Sequence, residues 1–377
     1  MSDLNVGIIG CGNISSAYLE LAPRFVGYTI VACADINSSL AEAQATQFGC
    51  RAMSVDDLLA DETIHLVVNL TIPAAHYEVS SAILTAGKHV YSEKPFVLSV
   101  QEGLALKALA DKNNVRIGSA PDTFLGGSHQ RARECVDADM IGRVVGGSCY
   151  FQTHGMENWH PNPDFFYQLG GGPVLDMGAY YISNLIQLLG PVKQVVAMAS
   201  KPFSQRTISS EPRAGEVIPV DVQTTINSII EFEQGAQITF GASWDVWASE
   251  HNLIELHGTK RSMFVPDPNH FGGNVRVTDG TNEQVLEPLA TLGSLNYTDV
   301  NGAMKANYRG IGLADMAVAI LEDRIHRCNG ELALHVIDTL MSILASAESG
   351  RFEEIKTSCE QPAAMPDSVA DTLVKMQ

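Results

Sequence analysis

A lysine between an acid and a proline offers the clearest chemistry in this 377-residue sequence. Lys94 lies in Glu93-Lys94-Pro95, directly after His89 to Tyr91, a short apolar stretch typical of a buried strand. Open parallel sheets bind ligands beyond the carboxyl ends of their strands, where Lys94 would lie. Partial burial lowers the pKa of an ammonium group, so this position predicts a lysine that exchanges protons near neutral pH. Taken alone, these residues favour a surface lysine paired with Glu93.

A second stretch places a carboxylate and a phenol on one helix face. Three glycines, 170 to 172, form a flexible turn before Pro173, which is suited to the first turn of a helix. Asp176 and Tyr180 follow four residues apart, so both side chains lie on the same face. The helix dipole favours a carboxylate at Asp176, and a phenol near a carboxylate and a lysine can relay a proton. Considered singly, helix stabilisation by Asp176 and simple packing of Tyr180 are the favoured interpretations.

A glycine-rich turn near the start of the chain is typical of dinucleotide binding. It follows the apolar run Val6 to Ile9 and opens a helical pattern, which is the context that the glycine fingerprint requires. Gly10 permits the tight turn, and Gly12 lets a pyrophosphate approach the helix N-terminus. Ser15 stands where Gly or Ala is usual, which predicts slightly looser helix–strand packing. The residues predicted to contact the cofactor in this stretch are Gly10, Gly12, Asn13, Ile14 and Asp35.

Asp35 indicates which dinucleotide is preferred. It ends the second predicted strand, Thr29 to Ala34, close to the spacing of the ribose-binding acid in such folds. Its carboxylate would accept hydrogen bonds from a ribose diol and repel a 2′-phosphate. Ile36 and Asn37 follow, where a basic residue is typical of NADP sites. We therefore expect NAD as cofactor, and a turn aspartate that caps the following helix is the less favoured alternative.

Composition excludes some partners. The formal net charge of −19 argues against nucleic acid or an anionic membrane, because both need a basic surface. No apolar run approaches the roughly 20 residues of a membrane span, and we see no signal peptide. The seven scattered cysteines form no CxxC pair, which predicts reduced thiols in a cytoplasmic protein and no zinc or other metal site.

The order of predicted elements indicates two domains of the α/β class. Up to residue 120, strands alternate with helices, which predicts a doubly wound parallel sheet of the Rossmann type. From 121 to 357 we predict an α/β domain with a large open, mostly antiparallel sheet, since several long strands alternate apolar and polar residues. Residues 358–377 are expected to form a peripheral tail. The second-domain strands are predicted at Val144–Thr153, Val192–Ser200, Val222–Phe232, Ala236–Trp244 and Asn252–His257.

Polar and aromatic residues before the glycine run suit a sugar ring. Trp159 could cover an apolar ring face, and His160 or Glu157 could bond hydroxyl groups, although a connecting loop explains them equally well. His154 is a further substrate-binding candidate. Trp244 and Trp247 are interpreted as core residues.

These motifs together resemble the glucose–fructose oxidoreductase / inositol dehydrogenase / rhizopine-catabolism (Gfo/Idh/MocA) family over nearly the whole chain. The resemblance rests on the glycine fingerprint with Asp35, on Glu93-Lys94-Pro95, and on the glycine run that leads to Asp176 and Tyr180. Asp176 matches the aspartate of the family motif. Tyr180 takes a position that is histidine in many sugar and inositol dehydrogenases and tyrosine in a subset resembling glucose–fructose oxidoreductase and dihydrodiol dehydrogenase.

The resemblance implies an enzyme that transfers hydride between NAD(P) and a secondary alcohol or ketone of a sugar, sugar derivative or cyclic polyol. It implies that Lys94 contacts both nicotinamide and substrate, and that the second sheet joins subunits into a homodimer or homotetramer. A non-catalytic NAD-binding sensor and a dihydrodiol-type dehydrogenase are the alternatives. The predicted site residues are Lys94, Asp176 and Tyr180 for catalysis; Thr71, Pro73, His76, Glu93 and Lys94 for the nucleotide; and Lys94, His154, Trp159, His160, Asp176 and Tyr180 for the substrate.

Overall fold

Six parallel strands form the first sheet of the computed structural model, which describes residues 3–298 and 302–375. The strands are β1 (Leu4–Ile9), β2 (Tyr28–Ala34), β3 (Arg51–Met53), β4 (Leu66–Asn69), β5 (His89–Ser92) and β6 (Ile117–Ser119). Their order is β3-β2-β1-β4-β5-β6, so the winding reverses between β1 and β4. Ligands of doubly wound sheets bind at this reversal, and β1 and β4 are almost wholly apolar because helices cover both faces.

The rest of the chain forms a second, larger sheet. Its strands and two small ribbons are β7 (Val144–Gln152), β8 (Val192–Ser200), β9 (Gln205–Thr207), β10 (Val217–Pro219), β11 (Thr225–Phe232), β12 (Gln237–Ser243), β13 (Ile254–Gly258), β14 (Ser262–Val265), β15 (Val275–Thr278), β16 (Glu283–Leu286), β17 (Tyr297–Thr298), β18 (Met304–Lys305) and β19 (Glu353–Glu354). Nine of them pair in the order β16-β15-β14-β13-β7-β12-β11-β8-β19. All neighbours are antiparallel except β7 and β12. The predicted α/β fold with a parallel and a mostly antiparallel sheet is confirmed.

Helices cover both sheets. They are α1 (Asn13–Leu21), α2 (Ser38–Phe48), α3 (Val55–Ala60), α4 (His76–Thr85), α5 (Val100–Asn113), α6 (Gly127–Asp137), α7 (Asp164–Tyr167), α8 (Pro173–Leu189), α9 (Ala290–Gly293), α10 (Ile311–Leu321), α11 (Gly330–Ser349) and α12 (Asp367–Ala370). Helices α8 and α11 pack together, and α11 also lies on β8. Helix α8 is buried along almost its whole length, so the residues of its first turn are held rigidly.

Several sequence-based boundaries are corrected by the structure. The sequence pattern predicts one helix from Pro121 to Ile141. The structure instead has a 3-10 turn, Thr123–Leu125, followed by α6, because Gly126 adopts an extended backbone between them. The sequence pattern also predicts a helix from Gly312 to Cys328, and the corresponding helix in the structure, α10, ends at Leu321. The polar loop from Lys201 to Pro219 contains the β9–β10 ribbon.

The C-terminal tail is not peripheral, contrary to expectation. Met365 and Leu373 are buried at 1% and 0% exposure. The backbone of Val26 in the first domain donates to the carbonyl of Leu373, and Phe25 pairs with Val374. The chain therefore returns to the first domain and links it to the second.

One helix in the described part of the chain, α11, has the length and apolar content that a membrane span needs. Most of this helix is buried, and it packs against β8, α8 and α5. This burial accounts for its apolar composition, since a helix enclosed by other elements needs few polar faces.

Candidate active site

Lys94 and Asp176 meet across the boundary between the two domains. Lys94 follows β5 at the carboxyl edge of the parallel sheet, and Asp176 lies in the first turn of α8. The Lys94 Nζ donates to Asp176 Oδ1 at 2.8 Å and to the Asp176 carbonyl oxygen at 2.6 Å. The side chains are only 16% and 19% exposed. Two residues 82 positions apart thus form an ion pair shielded from most solvent.

The predicted lowering of the Lys94 pKa is wrong. Burial alone would lower the pKa of Lys94, but the charge of Asp176, with contributions from Tyr180 and Glu93, outweighs it and raises the pKa above the ordinary value. Lys94 is therefore a charged hydrogen-bond donor at neutral pH. It can hold an oxygen atom and stabilise negative charge there, but it is not the group that takes up a proton.

Tyr180 lies beside this pair, one turn further along α8. Its ring centroid is 5.1 Å from Lys94 Nζ, and its side chain is buried. Its hydroxyl oxygen accepts a hydrogen bond from Arg309 Nη1 at 3.3 Å. Arg309 was not among the sequence candidates, because it lies 129 residues from Tyr180 and belongs to no motif. The phenol, the ammonium group and the carboxylate that the sequence singled out are thus brought together.

Glu93 is buried next to Lys94, with both carboxylate oxygens engaged by the protein. One accepts from the Tyr18 hydroxyl at 3.0 Å and the other from the Lys94 backbone N–H at 2.9 Å. These contacts fix the backbone at Lys94. Cofactor binding by Glu93 stays a prediction, and its observed contacts are those of a group that positions the lysine.

The glycine turn has the shape that a pyrophosphate needs. Gly10 has φ of 101°, and a Cβ atom there would lie 2.6 Å from the carbonyl carbon of Leu70. A Cβ atom at Gly12 would meet nothing within 4 Å. Helix α1 starts at Asn13 and Ile14 without a side-chain cap or an acidic residue in its first turn. Uncapped backbone N–H groups beside open space therefore fit an anionic cofactor.

We expect the two glycines to respond differently to alanine. Gly10→Ala should destabilise the fold by about 1–3 kcal/mol, because alanine is strained at this φ and its Cβ atom would clash with the backbone of Leu70. Gly12→Ala should cost at most about 1 kcal/mol in stability, as expected for a changed helix N-cap, yet weaken NAD binding about tenfold or more by overpacking the phosphate site. Thermal unfolding and NAD titration of both variants test this. Equal NAD affinity for Gly12→Ala and the unchanged protein would contradict the proposed phosphate position.

Asp35 is aimed by backbone contacts at the end of β2. Its two oxygens accept from the backbone N–H groups of Cys11 at 2.7 Å and Asn37 at 2.8 Å. The following helix is capped by Asn37, whose side chain accepts from Ser39 N–H. Ile36, directly after Asp35, is fully exposed. The carboxylate is therefore held beside the glycine turn, where a ribose diol would lie in a fold of this kind.

Residues after β4 form a loop that contacts the Lys94 segment. Thr71 donates its hydroxyl to Asn69, and Pro73 begins a 3-10 turn. The ring of His76 contacts the carbonyl oxygens of Pro95 and Thr71. Burial lowers the pKa of His76 and outweighs the two carbonyl contacts, which raise it. The ring is therefore neutral and can donate to only one of the two carbonyl oxygens. His76 ties this loop to the Lys94 segment, and direct nucleotide contacts remain a prediction.

The proposed sugar-binding residues are more scattered. Trp159 is exposed, and His160 Nδ1 accepts from the Asn162 backbone. Glu157 is buried and paired with Arg206 at 3.0 Å, so it is not free to bind hydroxyl groups.

The expectation of a core role is right for Trp244 but wrong for the 83% exposed Trp247.

His154 and Trp247 form a stacked pair. Their ring centroids are 3.4 Å apart with planes inclined by 17°. They follow β7 and β12, which are parallel neighbours, so both rings lie beyond the same edge of the second sheet. Among the described residues, His154 Nδ1 has no hydrogen-bond partner. Substrate contact by His154 remains a prediction.

Comparison with known proteins decides the family. The oxidoreductase family with an NAD-binding Rossmann fold, GFO/IDH/MocA, matches residues 4–120, and the GFO/IDH/MocA C-terminal domain matches residues 129–264. The chain belongs to the GFO/IDH/MocA family. The predicted family and the predicted enzyme class are thereby confirmed.

Individual GFO/IDH/MocA relatives are distant. An uncharacterized oxidoreductase of Schizosaccharomyces pombe is 37% identical over 159 residues, which is 41% of either chain. Levoglucosan dehydrogenase of Pseudarthrobacter phenanthrenivorans is 27% identical over 298 residues, or 70% of this chain and 73% of the relative. A solved structure of levoglucosan dehydrogenase with NADH and L-sorbose superposes with a TM-score of 0.79 at 21% identity, covering 95% of this chain and all of the other. At this identity the superposition shows the fold.

Proposed function

We propose that this protein is an NAD-dependent dehydrogenase that oxidises a secondary alcohol of a neutral sugar, sugar derivative or cyclic polyol, or reduces the corresponding ketone. The observation that carries the proposal is the Lys94–Asp176 pair with Tyr180 beside it, located past the carboxyl end of β5. This is the carboxyl edge of the sheet, one strand beyond the reversal between β1 and β4, and ligands of doubly wound sheets bind at this edge. The solved complex of levoglucosan dehydrogenase with NADH and L-sorbose supports the same class of substrate.

The chemistry divides between these side chains. Bound NAD would supply the hydride acceptor, while the protein provides position and charge. Lys94 holds the substrate oxygen and stabilises the negative charge that develops there. Asp176 holds Lys94 in place through two contacts. Tyr180 takes the proton from the alcohol, a contribution typically worth about 10²–10⁴ in rate.

Local charge favours a neutral substrate. Lys94 and Arg309 are the cations beside Tyr180, and three carboxylates influence them: Asp176, Glu93 and Asp122. Each cation therefore has acidic neighbours within the protein. A sugar without a carboxylate or phosphate suits this balance, because the charges of Asp176, Glu93 and Asp122 already oppose those of Lys94 and Arg309.

We propose NAD rather than NADP because the groove beside Asp35 is acidic. This groove of about 930 Å³ is lined by Asp35, Asp56, Asp57 and Asp61 together with Ile36 and Ser38. With Glu42, five acidic residues line the groove and repel a 2′-phosphate, and the described lining contains no lysine or arginine. Only Asp61 among the five is ion-paired with an arginine in the described residues, at 2.8 Å from Arg51.

Asp35→Ser is expected to lower the preference for NAD over NADP. The change removes charged hydrogen bonds to the ribose and part of the repulsion of a phosphate. The ratio of kcat/KM for the two cofactors should fall about tenfold or more, the loss expected from one charged hydrogen bond. Asp111→Ser, at an exposed position on α5, is the control. An unchanged protein that uses NADP as well as NAD would contradict the assignment.

We further propose that the outer face of the nine-stranded sheet joins two copies of the chain. On neighbouring strands β8 and β11, Met198 is 80% and Ile229 49% exposed, whereas Val195 and Ile230 point into the core. Replacing Met198 and Ile229 with glutamate should convert a dimer or tetramer into monomers in analytical ultracentrifugation. Ile325→Glu, at an exposed position elsewhere, should leave the mass unchanged. A monomeric unchanged protein would contradict this proposal.

A further inference from the structure

Arg309 is the one cation besides Lys94 that the structure records over the Tyr180 ring, within the described residues. Its Nη1 donates to the Tyr180 hydroxyl at 3.3 Å, and its Nη2 donates to Asn269 Oδ1 at 3.2 Å. Its guanidinium carbon is 5.9 Å from the centroid of the Tyr180 ring. Arg309 lies outside both segments that match the GFO/IDH/MocA family. The family matches therefore say nothing about Arg309, and its position beside Tyr180 comes from the structure alone.

A buried carboxylate fixes the backbone that carries Arg309. Asp122 Oδ2 accepts from the N–H groups of Gly310 at 2.8 Å and Gly312 at 3.1 Å, at the start of α10. Asp122 is 2% exposed and lies three residues after β6, the last strand of the first domain in the chain. The guanidinium is thus anchored at two points: its backbone is held by Asp122 and its side chain by Asn269.

The direction of the hydrogen bond defines what Arg309 does to the phenol. A guanidinium group can only donate, so the Tyr180 oxygen is the acceptor in this contact. The hydroxyl hydrogen of Tyr180 is consequently free to be donated to another oxygen atom. On the basis of the proposed dehydrogenase function, we infer that Arg309 is a positioning residue that orients the Tyr180 hydroxyl toward the substrate oxygen and stabilises its deprotonated form during proton transfer.

The proton transfer balances as follows. When an alcohol is oxidised, its C–H electron pair leaves to the nicotinamide, its O–H bond breaks, and the proton forms a new O–H bond with the deprotonated Tyr180 oxygen. The protonated Tyr180 then returns the proton to solvent, and ketone reduction is the reverse. Among the described residues, the cations recorded over the Tyr180 ring are Lys94 and Arg309. The charges of Asp176, Glu93 and Asp122 act on these two cations. Removing Arg309 leaves Lys94 as the cation beside a negative phenolic oxygen.

Arg309→Met tests the inference in enzyme that oxidises a sugar with NAD. We expect kcat to fall about 10- to 100-fold, as for loss of one hydrogen bond to a charged group, with the KM for NAD unchanged. The rise of kcat with pH should move to higher pH, because the deprotonated phenol has lost a stabilising cation. Arg309→Lys should partly restore both. Arg261→Met, at a partly exposed arginine in the turn before β14, should change neither.

A double-mutant cycle separates positioning from general damage. In a Tyr180→Phe background, Arg309→Met should cause almost no further loss, because the group on which Arg309 acts is gone. Full additivity, or an unchanged pH profile in Arg309→Met, would overturn the inference.

A spectroscopic titration gives a result that does not depend on turnover. The difference in tyrosinate absorbance between the unchanged protein and Tyr180→Phe reports the ionisation of Tyr180. The same difference measured between Arg309→Met and the double variant should lie at higher pH. Coincident titrations would overturn the role of Arg309 even in a protein that oxidises no sugar, whereas a shifted titration without sugar oxidation would count against the proposed function alone.

Discussion

Lys94→Met is expected to lower kcat about 10²–10⁴-fold while NAD still binds. Methionine keeps most of the length of the side chain but removes the ammonium group that would hold the substrate oxygen. The glycine turn and Asp35 are separate from Lys94 in the sheet, so they keep their geometry. Steady-state turnover and NAD titration measure the two effects independently.

Two further variants make the Lys94 result specific. Lys107→Met removes an exposed lysine on α5 and should retain full activity. Lys94→Ala should be as impaired as Lys94→Met, since both lack the charge. Because loss of Lys94 leaves Asp176 without its partner, thermal unfolding should be followed in parallel. Unchanged turnover in a folded Lys94→Met protein would rule out the assigned role.

Tyr180→Phe is expected to reduce turnover by about 10²–10⁴, the usual contribution of a positioned acid or base. The substitution keeps the ring against Lys94 and removes only the hydroxyl group. Binding of NAD and of the sugar should change little, so the effect should fall on kcat rather than on KM. Rapid single-turnover measurements at saturating sugar would report the chemical step.

The neighbouring tyrosine supplies a matched control. Tyr181 is also buried on α8, and its hydroxyl has a long contact of 3.4 Å to Asp267 in the second domain. Tyr181→Phe should therefore leave kcat within about twofold, because a removed hydroxyl without a strong partner costs little. A larger loss of kcat in Tyr181→Phe than in Tyr180→Phe would show that packing of α8, and not the Tyr180 hydroxyl, controls turnover.

Local sequence patterns predicted the geometry of the glycine turn and of Asp35. The Gly10 conformation and the open space at Gly12 follow from a motif only three residues long, placed between a strand and a helix. Asp35 directly follows β2, where the spacing predicted. The i, i+4 relation of Asp176 and Tyr180 also follows from local helix geometry. Each of these features depends on neighbours along the chain.

Features that depend on distant residues were missed. The pKa of Lys94 is set by Asp176, 82 residues away, so burial alone gave the wrong direction. Arg309 reaches Tyr180 only because Asp122 and α10 bring a remote segment into the domain boundary. The short strands β14 to β16 carry too few alternating residues to stand out in the sequence.

The most direct test of the account is oxidation of neutral sugars with NAD. The protein should be incubated with NAD and a panel of cyclic sugars, anhydrosugars and polyols while reduced nicotinamide is followed by absorbance. We expect at least one neutral compound to be oxidised, and Lys94→Met and Tyr180→Phe to suppress that signal. The contrary result would be a protein that binds NAD tightly but neither reduces NAD with any compound of the panel nor oxidises NADH with the corresponding ketones. That result would contradict the proposed dehydrogenase activity and favour a nucleotide-binding sensor.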